Sequence, residues 1–274
     1  MNEELAQLGI NIDVSLHLRI FALVLGRMIG MTIPIPFIGG KLVPARIRFG
    51  IPLFLSVFLY PFLSAPIPHH LVPPVGFVFV GIMAKEIFVG YAIGFVISLP
   101  FAGITSAGSF MDTQRGQTFA QVLAPLTGGM TSLLGQFLSM LFMTLFLTIG
   151  GMQIVLDALL RSYLALPMLA APGAMQPNSP AVLEFIRFTA DVFTVAVQFG
   201  APVVIAMFLT DATLGIVNRA APNIQVFFLG MPVKALGGIV VALIILGTAS
   251  EYFVELMLKL AAEIRQLLVL MSAT

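Results

Sequence analysis

Long runs of apolar residues, separated by short polar breaks, make up most of the chain. A run of about 17–25 apolar residues can cross a hydrocarbon core of roughly 30 Å as a helix. The candidate runs cover residues 14–38, 49–63, 75–111, 131–156, 180–209 and 235–246. The pattern predicts an all-α membrane protein of about six hydrophobic helical segments, several of them kinked or broken, that form hairpins.

Prolines predict where these segments are interrupted. Pro100 lies inside the run 75–111, which we therefore expect to form two helical pieces with a bend between them. The polar stretch 210–234 contains Pro222 and Pro232 and is expected to separate two spans.

The chain is predicted to be a single integral membrane domain over residues 1–274. Its end, residues 251–274, carries Glu255, Lys259 and Glu263 at helical i,i+4 steps opposite an apolar side. This pattern predicts a C-terminal amphipathic helix that docks on protein or on the membrane surface.

The stretch 111–130, MDTQRGQTFAQVLAPLTGGM, is polar and glycine-rich although it lies between two very apolar segments. Irregular backbone in hydrocarbon leaves polar groups unpaired, so it persists only where protein buries it or where it lines a water-filled cavity. Glycines at both ends allow unusual backbone angles, and the apolar residues between them could dewet a constriction. The glycines are Gly116, Gly128 and Gly129, and the apolar residues are Val122, Leu123 and Leu126. We interpret this stretch as a pore or cavity element.

A plainer alternative is that 111–130 is only a tight connection between spans. Asp112 and Arg115 would then be an i,i+3 pair at a helix end. The second polar stretch, 210–234, has the same two interpretations, a basic cytoplasmic turn or a surface that packs against another subunit.

Two GxxxG pairs predict close helix packing. Gly26 and Gly30 flank Arg27, and Gly90 and Gly94 lie in the third apolar run. An arginine within a span costs at least about 2.5 kcal/mol on insertion, so Arg27 is expected to face a packing partner rather than lipid.

The loop 39–50 contains Lys41, Arg46 and Arg48 and no acidic residue. Because cytoplasmic loops of membrane proteins carry an excess of Lys and Arg, we expect this loop on the cytoplasmic side.

Composition excludes several classes of function. Of the 274 residues, 59% are hydrophobic and only 9% are charged, with a formal net charge of +1, so no basic field for nucleic acid exists. The absence of cysteine excludes disulfides and thiolate metal sites. Phosphate-binding, zinc-protease and serine-hydrolase motifs are also absent, which predicts a protein without enzymatic activity, cofactor or metal.

Four segments together carry a resemblance to a known family. They read KEIFVGYAIGFVISLPF, AGSFMDTQRGQ, VLAPLTGG and LGIVNRAAPNIQVFFLGMPVK. In combination they resemble the SctT/FliR family of export-gate subunits of type III secretion systems. The residues Asp112, Gln114, Arg115 and Gly116, with Pro232 and Lys234, are more similar to the injectisome branch than to the flagellar branch.

The resemblance implies a single-copy core subunit in a helical, multi-subunit export gate of the bacterial inner membrane. This gate is a conduit for unfolded secreted proteins. The implied partners are several copies of two smaller hydrophobic subunits, a switch subunit with an autocleaving domain, and the large export-apparatus nonamer.

In that family the loop that corresponds to residues 117–129 plugs the conduit. Phe119 matches an aromatic position of the plug, whereas Val122 stands where flagellar relatives have a second aromatic residue. The predicted plug or gating residues are Gln117, Phe119, Val122, Leu123 and Leu126. The predicted loop base is Asp112, Arg115, Gly116, Gly128 and Gly129, and the predicted subunit-packing residues are Gly26, Arg27, Gly30, Gly90, Gly94, Asn218, Arg219, Pro222, Pro232 and Lys234.

The alternative from another functional class is a self-sufficient secondary transporter. Its substrate site would lie at the two broken stretches, as in transporters with discontinuous helices. Such a transporter should be stable alone, whereas a gate subunit should require its hydrophobic partners.

Overall fold

The structure is a computed structural model that describes residues 14–41, 43–64, 72–73, 75–116, 132–169, 179–222 and 225–272, without the side chains of Phe227, Thr248 and Ser272. All regular structure in these ranges is helical. The helices are α1 (Val14–Thr32), α2 (Pro36–Gly39), α3 (Ala45–Ser64), α4 (Phe77–Gln114), α5 (Leu133–Thr148), α6 (Gly151–Ala165), α7 (Pro180–Ala220) and α8 (Val226–Ser272).

Within the described ranges, five helical stretches are long and apolar enough to cross a membrane. They lie in α1, α3, α4, α7 and the first part of α8, and the bent pair α5–α6 brings the number to six if it counts as one span. The prediction of an all-α membrane protein with about six hydrophobic segments is confirmed.

One predicted interruption is wrong. The helix α4 is continuous over 38 residues with Pro100 inside it, so it is not two pieces. The stretch 210–234 does separate two helices, since α7 ends at Ala220 and α8 begins at Val226, but Pro232 lies inside α8 and does not interrupt it. Proline is tolerated within membrane helices because neighbouring groups can satisfy the freed backbone.

A second correction concerns the run 131–156, which the sequence predicts as one straight span. It contains all of α5 and the beginning of α6, whose axes differ by 72°. Gly150, between them, has φ +98°, a left-handed conformation that favours glycine. A Cβ atom on Gly151 would collide with the ring of Phe146, so this turn is packed too closely for a side chain.

Residues 251–272 form the last part of the 47-residue helix α8 rather than a separate helix. Their buried residues recur at helical i,i+3 and i,i+4 spacing, as expected for an amphipathic face. These are Phe253, Leu256, Met257, Leu260, Ile264, Leu267, Leu268 and Met271.

The chain divides into two compact units. The first comprises Met1–Ser98, Ile154–Phe185 and Glu263–Thr274. In it α1 crosses α4 so closely that Cβ atoms on Gly30, Gly90 and Gly94 would collide with carbonyl oxygens of the opposite helix. Small residues allow this approach between membrane helices.

The second unit comprises Leu99–Gln153 and Ile186–Ala262. Its core contains a set of aromatic rings from four helices. The Phe101 and Phe142 ring centroids are 4.7 Å apart, Phe142 and Phe253 are 5.0 Å apart, and Phe199 and Phe253 are 5.5 Å apart. Such separations are typical of favourable aromatic pairs.

Candidate functional site

A buried carboxylate connects the two sides of the segment 117–131. Asp112, in the last turn of α4, is only 4% exposed. Its Oδ1 accepts a hydrogen bond from Arg115 Nη1 at 2.9 Å. Its Oδ2 accepts from the Ser132 hydroxyl at 2.8 Å and from the Leu134 backbone N–H at 2.9 Å. One side chain therefore binds groups that precede and groups that follow this segment.

The sequence ends α4 with a glycine. Gly116 has φ +82° and its N–H donates to the Thr113 carbonyl at 3.2 Å. A left-handed glycine after the last turn is a common way to end a helix.

Ser132 begins α5 as its N-cap. Its hydroxyl oxygen accepts from the Gly135 N–H at 2.8 Å, and the same hydroxyl donates its hydrogen to Asp112. Asp112 also accepts from Leu134, so a carboxylate on α4 satisfies one of the free N–H groups at the start of α5. The negative charge there also complements the positive end of the helix dipole.

The two helices touch at a pair of glycines near this carboxylate. A Cβ atom on Gly108 of α4 would collide with the backbone of Gly135 on α5. A Cβ atom on Gly135 would lie 2.9 Å from the carbonyl oxygen of Thr105. The approach of α4 to α5 therefore depends on the absence of side chains at both positions.

Arg115 extends this connection to α8. Its Nη2 donates to the Ala235 carbonyl at 3.2 Å, and a Cβ atom on Gly238 would collide with the arginine side chain. The side chain of Arg115 is 12% exposed and that of Asp112 is 5% exposed, so this is a largely buried ion pair. We call Asp112, Arg115, Ser132 and the Leu134 N–H the carboxylate clamp.

A cavity of about 280 Å³ lies beside the clamp. It is bordered by the end of α4, by the last turns of α7 and by the first turns of α8. Its lining residues are Arg115, Gly116, Asp211, Leu214, Gly215, Asn218, Val226, Gly230, Met231 and Lys234. The two polar stretches that the sequence analysis singled out therefore meet at this cavity.

An ion pair joins α7 to α8 at the cavity. Lys234 Nζ lies 2.9 Å from both carboxylate oxygens of Asp211. Asp211 is half exposed, so this pair contributes less to stability than the Asp112–Arg115 pair. The four charges cancel, which makes the site a structural connection rather than a site with a net charge.

The structure brings some of the predicted site residues together and leaves others apart. Asp112, Arg115 and Gly116 lie together, and Asn218 and Lys234 line the adjacent cavity. Arg219, Pro222 and Pro232 are exposed. The predicted residues Gln117, Phe119, Val122, Leu123, Leu126, Gly128 and Gly129 lie outside the described residues.

The GxxxG residues pack within the chain. Gly26 and Gly30 on α1 face α4, and Gly90 and Gly94 on α4 face α1. The predicted close approach is therefore present between two helices of this chain, and contact of these residues with another subunit stays a prediction.

Arg27 has its partners inside the first unit. Its Nε lies 2.6 Å from Glu86 Oε2, and its Nη1 and Nη2 donate to the Ser162 and Leu166 carbonyls at 2.8 Å each. Lys85 lies 2.9 Å from Glu86 Oε1. Two cations share one carboxylate, and backbone carbonyls at the end of α6 compensate for the remaining positive charge.

Sequence reasoning missed the groups that complete these connections. Ser132 follows the polar stretch directly, and a serine before an apolar helix is an N-cap signal that could have identified it. Nothing in the sequence indicates that Glu86 pairs with Arg27, because the contact depends on how two distant helices cross.

Known proteins give an independent comparison. A family model described as "Bacterial export proteins, family 1" matches residues 18–260. "Flagellar biosynthetic protein FliR" of Bacillus subtilis is 32% identical over 218 residues, covering 78% of this chain and 81% of that protein. "Yop proteins translocation protein T" of Yersinia pestis is 32% identical over 221 residues, covering 78% and 81% respectively. "Secretion system apparatus protein SsaT" of Salmonella typhimurium is 29% identical over 214 residues, covering 77% and 80%.

Proposed function

This chain belongs to family 1 of the bacterial export proteins, and we propose that it is a core subunit of a type III secretion export gate whose carboxylate clamp helps to keep the conduit closed. Relatives named for flagellar biosynthesis and relatives named for secretion or translocation match about equally well. The injectisome branch therefore stays a prediction, supported by Asp112 and Arg115.

The position of Asp112 is the observation that supports a role of the clamp in keeping the conduit closed. Its carboxylate binds Arg115 before the segment 117–131 and binds Ser132 and Leu134 after it. Breaking these bonds would release both ends of the segment. In this proposal the Asp112 carboxylate holds the segment in the position that closes the conduit.

The proposed closure itself is the segment 117–129. Its support is the family resemblance, the aromatic residue at Phe119 and the apolar residues Val122, Leu123 and Leu126. A ring of such residues can exclude water from a narrow constriction.

The proposed environment is the bacterial inner membrane, among other export-gate subunits. One relative is named a secretion system apparatus protein and another a flagellar biosynthetic protein, which supports a multi-subunit assembly. The finer proposal names two smaller hydrophobic subunits in several copies, a switch subunit with an autocleaving domain and a large nonamer. Unfolded secreted proteins would be the cargo.

A self-sufficient secondary transporter is not favoured, since the relatives are named for flagellar biosynthesis, secretion and translocation. The family relationship likewise supports a subunit without enzymatic activity of its own.

The proposal is tested by replacing residues 119–126 with glycine and serine in the assembled gate. Ion leakage across the membrane should increase, because the apolar block would be removed while the clamp remains. The matched control replaces residues 171–178, a connector of equal length, and should not increase leakage. An assembled gate that stays equally tight in both variants would contradict the proposed plug.

A further inference from the structure

The loop between α2 and α3 concentrates positive charge, and no acidic residue in the described part of the chain balances it. Lys41, Arg46 and Arg48 lie within eight positions, and the sequence contains no acidic residue between Asp13 and Glu86. Lys41 and Arg46 are exposed, and in the part of the chain that the structure describes their side chains have no hydrogen-bond or ion-pair partner. We call these three residues the basic loop cluster.

Four other cations in the described part of the chain are paired with acids. Arg27, Arg115, Arg161 and Lys259 each lie within 2.9 Å of a carboxylate oxygen. Unlike these four cations, Lys41 and Arg46 carry positive charge that is available to a ligand from outside the chain.

The backbone that carries the cluster is held in place. Arg48 Nη2 donates to the carbonyls of Gly40 and Val43 at 2.8 and 3.1 Å, so this side chain fixes the loop instead of extending from it. Cβ atoms on Gly39 and Gly40 would collide with the carbonyls of Ile33 and Pro36. A fixed loop presents Lys41 and Arg46 at little cost in conformational entropy on binding.

The helix that follows exposes an apolar surface. Only 17% of the apolar stretch of α3 is buried within the chain. Phe49, Phe54 and Phe58 are 64%, 68% and 62% exposed. A helix with an outward apolar face requires hydrocarbon or protein around it. Where hydrocarbon covers it, basic residues at its end lie at the level of the lipid headgroups.

We propose that the basic loop cluster binds the phosphate headgroups of anionic phospholipids, with Lys41 and Arg46 as the contacting residues and Arg48 as a positioning residue. Exposed cations at the start of an apolar helix match a negatively charged membrane surface. The inference goes beyond the export function and does not depend on it.

The experiment uses the full chain purified in detergent with its copurifying subunits. Native mass spectrometry measures retained phosphatidylglycerol and phosphatidylcholine as each lipid is titrated. Each basic residue near an anionic surface contributes roughly fivefold to binding, so Lys41→Gln with Arg46→Gln should weaken phosphatidylglycerol binding by about 30-fold. Phosphatidylcholine retention should not change, and Lys41→Arg with Arg46→Lys should restore phosphatidylglycerol binding.

The matched control is Arg161→Gln with Lys259→Gln, which removes one arginine and one lysine that are paired with acids. It should change phosphatidylglycerol binding less than about threefold, because those charges are already balanced. Equal losses in the two double variants would overturn the proposal. Unchanged lipid binding in Lys41→Gln/Arg46→Gln would also overturn the proposal. Loss of an acidic protein from that variant complex in the same experiment would assign the cluster to a protein partner instead.

Discussion

Replacing Asp112 with alanine should destabilise the second unit strongly. The change leaves the guanidinium of Arg115, the hydroxyl of Ser132 and the N–H of Leu134 without the acceptor that they share. Removing one partner of a buried ion pair costs about 3–5 kcal/mol. Because Arg115 keeps its bond to the Ala235 carbonyl, we expect a loss near the lower value, about 3 kcal/mol.

The assay is reversible unfolding in mixed micelles of mild detergent and sodium dodecyl sulfate, which gives the free energy of unfolding. Asp157→Ala is the matched control, since it removes the same group from an ion pair with Arg161 that is more than half exposed. Exposed pairs contribute at most about 1 kcal/mol. Equal losses for Asp112→Ala and Asp157→Ala would refute the reasoning.

A charge-reversed pair provides a sharper version of this test. From sequence alone, an Asp112→Arg/Arg115→Asp variant should partly restore what either single change removes. The structure predicts little rescue, because an arginine at 112 cannot accept the hydrogen bonds of Ser132 and Leu134. Strong rescue would show that charge pairing alone accounts for the clamp, because a double-mutant cycle measures the interaction energy between the two side chains.

Three further predictions use the same unfolding assay. Gly108→Ala should cost about 1–3 kcal/mol because the new Cβ atom would collide with α5. Gly81→Ala on the same helix places its Cβ atom in open space and should be neutral or stabilising by up to about 1 kcal/mol. Similar changes in the free energy of unfolding for the two variants would contradict the packing argument. Glu86→Ala should cost about 3–5 kcal/mol. Adding Arg27→Met should recover part of that loss, because it removes the buried cation that Glu86→Ala leaves without its acid. Purely additive losses would contradict the expected rescue. Gly150→Ala should cost about 1–2 kcal/mol because alanine disfavours the left-handed conformation, and an unchanged free energy would show that the turn adjusts.

Helix identity and membrane character could be predicted from the sequence because they depend on local composition. The start of α7 is an example, since Ser179 followed by Pro180 is a cap and first-position signal, and the helix begins at Pro180. The Asp157–Arg161 pair also forms as its i,i+4 spacing predicts.

Proline misled the sequence analysis because its effect depends on the surroundings. In water a proline such as Pro100 or Pro232 commonly ends a helix. In an apolar protein the alternative to a helix is unpaired backbone, so the helix continues through both residues. At Gly150 the sequence analysis missed a bend, because no proline marks the turn between α5 and α6.

The candidate site could be predicted only in part. Asp112 and Arg115 were identified because they lie only three positions apart in the sequence, and their ion pair is present. The contacts of Asp112 with Ser132 and of Lys234 with Asp211 join residues about 20 positions apart. Such contacts depend on how helices pack, which no local pattern specifies.

The carboxylate clamp is tested most directly by measuring ion leakage through the assembled gate with Asp112→Ala and with Asp157→Ala. Both variants must assemble to the same level, so that leakage reports closure and not the amount of gate. The Asp112→Ala gate should leak ions in the absence of secretion, and the Asp157→Ala gate should be as tight as the unmodified gate. A tight Asp112→Ala gate would show that the clamp does not hold the conduit closed.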